Sequence, residues 1–373
     1  MAIAIEAMGA VTAVGDNLPL SVASIYTSGR RCVALAALGA DGRPVIGAPA
    51  MIDDDVRGID RLRLLALMAL QDCLGDQLEA QPPLPVVVCA PPLEPFGCDA
   101  SWFLQRLLDD SDLALDPEGS RVIAGGRAAF PDALALAEQR LASQEWPACF
   151  LVGVDSLVAT ARLAREVAAR RVAGPGNATG FIPGEAGAAL LLSLRADAGS
   201  AAIIAGIGRC GGGTTFNTTA AVLADAAERA LANAGIAAPA LGAICHDGNG
   251  DWAQLEEMAL ADARPPLSLV PEAQRLIPSI STGEVGAAAG PLSLAIVGLL
   301  LAKGVVQRPS LAMFAAEGQA RAAAVLTAAT AASTQPVARP RSARLNDAQY
   351  GNDLDRGSGR ARAVAFAPPG SMC

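Results

Sequence analysis

The chain holds one histidine, His246, and one lysine, Lys303. A single histidine excludes His-rich metal centres and any mechanism that needs two imidazoles. Aromatic residues make up only 3% of the sequence, so its core must close through small side chains rather than large rings. The eight cysteines are scattered, without a Cys-x-x-Cys pair. That pattern fits neither a disulfide scaffold nor a zinc site, and points to free thiols in a reducing compartment. No metal and no cofactor is expected, and the expected location is cytoplasmic. Positive charge is also scarce: 28 Lys and Arg stand against 37 Asp and Glu, for a net charge of −9. Nucleic-acid binding rests on basic phosphate contacts, so that class of partner is excluded. Before its first acid, Glu6, the N-terminal stretch has no basic residue, and no signal peptide is expected. Only one charge-free run reaches the length of a membrane span, Val285 to Ala302. Its first half is Gly, Ala, Pro and Ser, which leaves Leu292–Leu301 too short to cross a bilayer. The run is expected to be a buried helix, and no membrane span is expected.

What the chain does have is apolar bulk. Hydrophobic residues are 52% and charged residues 17% of 373, with a mean hydropathy of +0.37. A large buried core follows, and the length suits two domains. Two stretches open alike. A strand at Ile3–Ala7 leads into Gly9-Ala10-Val11-Thr12-Ala13-Val14-Gly15 and a helix at Leu18–Thr27. A strand at Ala201–Ile207 leads into Gly211-Gly212-Gly213 and a helix at Ala220–Ala234 that stops at Gly235. No Lys-Ser/Thr follows the triple glycine, so a tight turn is expected there rather than a phosphate loop. Between and after these, strands at Val86–Ala90, Cys149–Val154, Ala186–Leu194, Ala240–Cys245 and Ala322–Thr327 alternate with helices. The helices are read at Ser101–Leu108, Pro131–Ser143, Gln254–Ala263 and Pro291–Lys303. Such alternation predicts an α/β fold with a largely parallel sheet. The expected division is an N-terminal half at 1–197, a C-terminal half at 198–330, and a polar, Pro/Gly-rich flexible tail at 331–373. A late strand at Ala361–Ala367 is one option within the tail. Asp53-Asp54-Asp55 is read as a solvated loop, and Glu185 as a structural hydrogen-bond partner.

Six segments carry a resemblance. They are Met8–Gly15, the strand Phe150–Val154, Gly180-Phe181-Ile182-Pro183-Gly184-Glu185-Ala186-Gly187-Ala188, the helix Ala226–Gly235, His246-Asp247-Gly248-Asn249-Gly250, and Thr282-Gly283-Glu284-Val285-Gly286-Ala287-Ala288-Ala289-Gly290. In that order they resemble motifs of the β-ketoacyl synthases of the thiolase superfamily, including its "DGFxxGEGA", "HGTGT" and "TGHxxGAAG" segments. The resemblance spans about residues 1–330. It implies a thiolase-like fold: two duplicated α/β halves in a layered αβαβα arrangement with buried central helices.

It also implies a site. The family's chemistry uses an acylated cysteine at a helix N-terminus, where dipole and amides lower its pKa and hold the oxyanion. Two histidines and a lysine complete it. On this chain the nucleophile position falls at Arg127, within Gly125-Gly126-Arg127-Ala128, with one residue of play. The first histidine position is His246, the second is Glu284, and the lysine position is Ser279. Three of four groups therefore differ from the family pattern. If Arg127 and Glu284 both face the cleft, they are expected to pair and close it. Beside the ligand-facing role, His246 has a plainer reading as a strand-end residue bonded to a backbone carbonyl. The substrate tunnel looks reduced, and the family's C-terminal Gly-Phe-Gly-Gly loop is missing.

Three functions follow from the resemblance. The first is a catalytically silent binding or accessory protein; degenerate homologues of this kind occur beside bacterial type VI secretion effector genes, which implies an adaptor role with an effector as partner. The second is a non-catalytic partner of an active synthase, resembling the chain-length factors. The third is a residual 3-oxoacyl synthase or acyltransferase with a relocated nucleophile such as Cys98. A homodimer or a heterodimer with a paralogue is expected through the sheet edge, with an acyl carrier protein ranking behind these partners.

Overall fold

The computed structural model describes residues 2–75, 83–111, 113–194, 199–211, 215–315 and 320–329. The tail at 331–373, the break at Arg195–Asp197 and Gly212-Gly213 of the triple glycine lie outside the described residues.

The first half runs β1 (Ile3–Thr12), α1 (Leu18–Tyr26), β2 (Val33–Leu38), β3 (Pro44–Gly47), α2 (Gly58–Leu74), β4 (Val86–Ala90), α3 (Ala100–Asp109), β5 (Arg121–Ala124), α4 (Ala129–Ala142), β6 (Ala148–Ser156), α5 (Thr160–Ala168) and β7 (Glu185–Ser193). The second runs β8 (Ala202–Cys210), α6 (Phe216–Ala234), β9 (Ala243–His246), α7 (Trp252–Asp262), β10 (Gln274–Leu276), α8 (Ser279–Thr282), α9 (Ala289–Ala302), β11 (Ser310–Ala315) and β12 (Arg321–Ala328).

Ten strands form one sheet in the order β10-β9-β11-β12-β8-β1-β7-β6-β4-β5. Read outward from the β8–β1 contact, the two flanks repeat the same connectivity. The sheet is mixed, which corrects the largely parallel one expected. β4, β5 and β6 pair in parallel, as do β9, β10 and β11, while β6–β7–β1 and β11–β12–β8 are antiparallel. The halves meet over a short antiparallel register, Ile3 with Ile204 through Ile5 with Ala202. Alternation of strands with helices does not fix strand direction: β7 follows a long excursion and returns beside β6 running the other way.

Three apolar cores join five layers, the central one spanning both faces of the middle helices. On one outer face, α2 and α3 lay Leu62, Leu65, Leu70 and Phe103 against Val86, Val88 and Val152. On the other outer face, α6 covers Leu311 and Val325 with Leu223, Ala227 and Leu231. Between the sheet flanks, α4 and α9 bury Phe130, Leu134, Leu292, Ile296 and Leu300 against Ile3, Ile5, Leu190 and Ile204. This is the αβαβα arrangement. The α9 segment is apolar on every side because it is buried on nearly every side. No described helix is long and apolar enough to cross a membrane.

Small residues set the close spacing of this middle layer, as the low aromatic content implied. Its few rings are concentrated where the halves touch: Phe130 of α4 and Phe314 of β11 stand 4.6 Å apart at a 59° tilt, within the favourable range for an aromatic pair.

Candidate functional site

Each central helix is entered by a short 3₁₀ turn, Gly126–Ala128 before α4 and Gly286–Ala288 before α9. Both turns bend at a left-handed glycine, with φ of 60° at Gly126 and 51° at Gly286. The repeat thus makes Arg127 and Ala287 equivalent positions. Crossed contacts tie the turns to the opposite half. Asp155, near the end of β6, accepts from Ala287 N at 3.0 Å, and Asp247, just after β9, holds Arg127. The Glu284 turn is laid along Ile182–Gly184: Glu284 N donates to Ile182 O at 2.7 Å, and Gly184 N donates to Glu284 O at 2.8 Å. Two of the motif segments are therefore brought together.

Arg127 fills the centre. Its Nη1 donates to Glu284 Oε1 at 2.9 Å and Oε2 at 2.8 Å. Its Nη2 lies 2.9 Å from Asp247 Oδ2 and donates to the Asp247 carbonyl. Glu284 Oε1 accepts again from Gly286 N at 2.6 Å, and Asp247 Oδ1 accepts from Ala315 N at 3.0 Å. Arg127, Glu284 and Asp247 are only 6%, 2% and 7% exposed. Buried charges persist when paired and hydrogen-bonded, and these are both. The void left beside Arg127, Glu284 and Ser293 is about 10 Å³, at the threshold for one water molecule.

The four positions picked from the sequence separate. Arg127 and Glu284 meet. Ser279 stands at the rim, its Oγ donating to the Gly248 carbonyl. His246 does not enter the cleft, and this corrects its placement there. Side chains alternate along β9: Ile244 belongs to the outer core, Cys245 to the central one. His246 shares the parity of Ile244 and turns toward α7, with Nε2 3.4 Å from Asp262 Oδ1. That is longer than a well-formed N–H···O bond of about 2.7–3.2 Å, and neither ring nitrogen has a hydrogen-bond partner. The backbone-carbonyl bond of the plainer reading is therefore absent too. Burial works against ionisation of Asp262, but His246 and Arg275 together hold its carboxyl below the ordinary range. Asp247, one residue on, is the group this segment sends into the cleft, and strand parity was the signal for it.

Asp155 was passed over in the sequence. It is fully buried, and burial pushes its carboxyl up to about 6, with Glu284 adding to the rise. Arg162 at 3.5 Å and the amides of Ala287 and Ser156 work the other way. Glu185 behaves as a structural partner. It accepts from Arg61 Nη2 at 2.6 Å, Ala50 N at 2.9 Å and Ser156 Oγ at 2.6 Å.

The buried thiols of the central layer are not activated. Cys149 and Cys245 are buried in apolar surroundings, and burial pushes each thiol up to about 12. Cys98 lies in a shallow surface depression with Glu94, Asp99 and Trp102. Partial burial and then the charges of Asp99 and Glu94 push its thiol up, the reverse of an activated cysteine. Asp53, Asp54 and Asp55 are exposed. Among the described residues no cluster of three His, Cys, Asp or Glu is placed to hold a metal ion.

No protein-family model and no curated protein matches the chain. Solved structures do. The ishigamide ketosynthase/chain length factor is 18% identical with a TM-score of 0.65, covering 88% of this chain and 99% of its own. The ketosynthase from module 6 of the bacillaene synthase of Bacillus subtilis 168 is 15% identical with a TM-score of 0.69, over 87% of this chain and 72% of its own. A β-ketoacyl synthase from Burkholderia phymatum STM815 is 14% identical with a TM-score of 0.62, over 87% of this chain and 99% of its own. The likeness is one of fold: the chain has the thiolase-like ketosynthase architecture.

Proposed function

We propose that this protein is a ketosynthase-fold protein that has lost the condensing reaction and acts by binding. The observation that carries the reading is the Arg127 guanidinium, locked by Glu284 and Asp247 at the turn where the resemblance implies an acylated cysteine. A guanidinium offers no nucleophile. Two carboxylates beside it repel the carboxylate of a malonyl donor, and the void of about 10 Å³ admits no acyl chain. Loss of a nucleophile alone typically costs about 10⁴–10⁶ in rate.

A chain-length-factor-like role beside an active synthase is the second reading. It is supported by the ketosynthase/chain length factor found among the similar structures. Both readings imply a dimer, with itself or with a paralogue, through a sheet edge. An effector-loading partner belongs to the first.

Intact-mass measurement after incubation with acyl-CoA and with acylated carrier protein tests the loss of chemistry. The mass is expected to stay unchanged, and a stoichiometric acyl adduct would overturn it. Purification from the native host separates the partners: recovery of a ketosynthase supports the second reading, and recovery of a secreted effector supports the first.

A further inference from the structure

On the outer side of the Arg127 turn lies a cavity of about 150 Å³, walled by Gly126, Arg162, Arg165, Glu166, Arg171 and Glu284. Its charges do not all cancel locally. Glu284 is taken by Arg127. Glu166 lies 3.3 Å from Arg171. Arg165 remains, and Arg162 is engaged only by Asp155. Among the described residues Arg162 makes no hydrogen bond: its one ionic neighbour there is Asp155 at 3.5 Å, its Nε is buried without a partner, and its side chain is 11% exposed. The Arg165 side chain has no hydrogen bond or ion pair among the described residues. Arg165 is exposed; the donor that requires an account is the buried Nε of Arg162, because buried donors left without acceptors are rare.

The opposite wall adds donors of another kind. Gly126 opens the turn into α4, a helix of 14 residues. The first amides of a helix lack intrahelical acceptors, and its dipole favours an anion at that end. Two arginine forks facing a helix start suit a tetrahedral oxyanion, whose oxygens accept paired N–H bonds from guanidinium. A cavity of 150 Å³ has room for one such group.

We infer that this cavity is a phosphate-binding site, with Arg162 and Arg165 as its ligands and the α4 turn as its floor. The phosphate comes either free or as the monoester end of a larger molecule. The site adjoins the closed centre at Arg127 and shares the Glu284 wall with it, and the inference stands whether or not the protein retains any condensing activity.

Isothermal titration of the full chain with inorganic phosphate, and separately with methyl phosphate, tests it at constant ionic strength set by chloride. Saturable binding to the wild type is expected. Arg162→Gln is expected to weaken it about tenfold or more, and Arg165→Gln about threefold or more, in line with the loss of charge-assisted hydrogen bonds. Arg170→Gln, an exposed arginine outside the cavity, is expected to bind as the wild type does. Tighter binding of the ester than of the free ion would assign the source to a phosphorylated molecule; the reverse order would assign it to phosphate itself. Absence of saturable binding below about 10 mM, or equal binding by wild type and both cavity variants, would overturn the site. Circular dichroism of each variant checks folding, and the more exposed Arg165 keeps the test open if Arg162→Gln does not fold.

Discussion

Arg127 and Glu284, 157 residues apart in sequence, face each other at 2.8–2.9 Å inside the protein. Asp247 completes the arrangement on the second amino group of Arg127. One cation therefore faces two buried carboxylates, and its removal leaves both without a counter-charge. Arg127→Met is expected to cost about 3–5 kcal/mol, the range for breaking a buried ion pair from one side. Adding Glu284→Gln to that variant is expected to recover part of the loss, because one stranded charge disappears. Urea denaturation of the two single variants and the double measures the coupling. Strictly additive costs would show that the two residues do not depend on each other.

The paired turns give a comparison within one molecule. Gly126 and Gly286 share a left-handed backbone, yet only Gly286 is crowded. A Cβ at Gly286 would lie 2.0 Å from Asp155 Oδ2, whereas one at Gly126 meets nothing within 4 Å. Gly126→Ala should cost only the backbone strain, about 1–2 kcal/mol. Gly286→Ala carries the same strain and also displaces the buried Asp155, so its cost should be clearly larger. Thermal unfolding of the two variants side by side tests this, and equal losses would contradict the crowding.

These turns were legible as glycine-framed segments, and so was the Arg127–Glu284 pairing, because both residues stand at motif positions that face one cleft. The strand Val86–Ala90 was legible to the residue, as an isolated apolar β-branched run. Helix α2 was not. It carries Arg61 and Arg63 in its first turns, and Arg61 is buried against Glu185, so charge breaks up its apolar stripe. Strand direction was hidden as well, since alternation reports order and not orientation. His246 was misplaced for a sharper reason. One residue of register decides which side chain enters the cleft, and that register is set only when β9 pairs with β11, His246 opposite Met313.

The outward turn of His246 has its own consequence. Its ring makes no hydrogen bond, and Arg275 remains beside Asp262 when the long His246 contact is lost, so an apolar ring of similar size loses little. His246→Phe is expected to cost less than about 1.5 kcal/mol, as volume-conserving core changes do. Asp247→Asn should cost more, because it removes a charge from the Arg127 cluster. Denaturation midpoints of the two variants order them, and a larger loss at His246 would return that residue to the centre of the site.

Asp155 makes stability depend on pH with a definite sign. Its carboxyl is raised from 3.8 to about 6, chiefly by burial, so the folded protein holds this proton more tightly than the unfolded chain does. The stabilisation is fully present below about pH 4 and is lost as pH rises through 6. At about 1.4 kcal/mol per pKa unit, the whole effect is on the order of 3 kcal/mol. Asp155→Asn removes the titration. The variant also gives up one acceptor, because both carboxylate oxygens receive backbone amides, from Ala287 and Ser156. It should therefore be the less stable protein at pH 5. As the pH is raised to 8, the wild type loses its advantage and the gap between the two should narrow. Denaturation of both proteins across this range reads the gap directly. A gap that stays constant or widens would mean that Asp155 is already ionised throughout, with Arg162 and the two amides outweighing its burial.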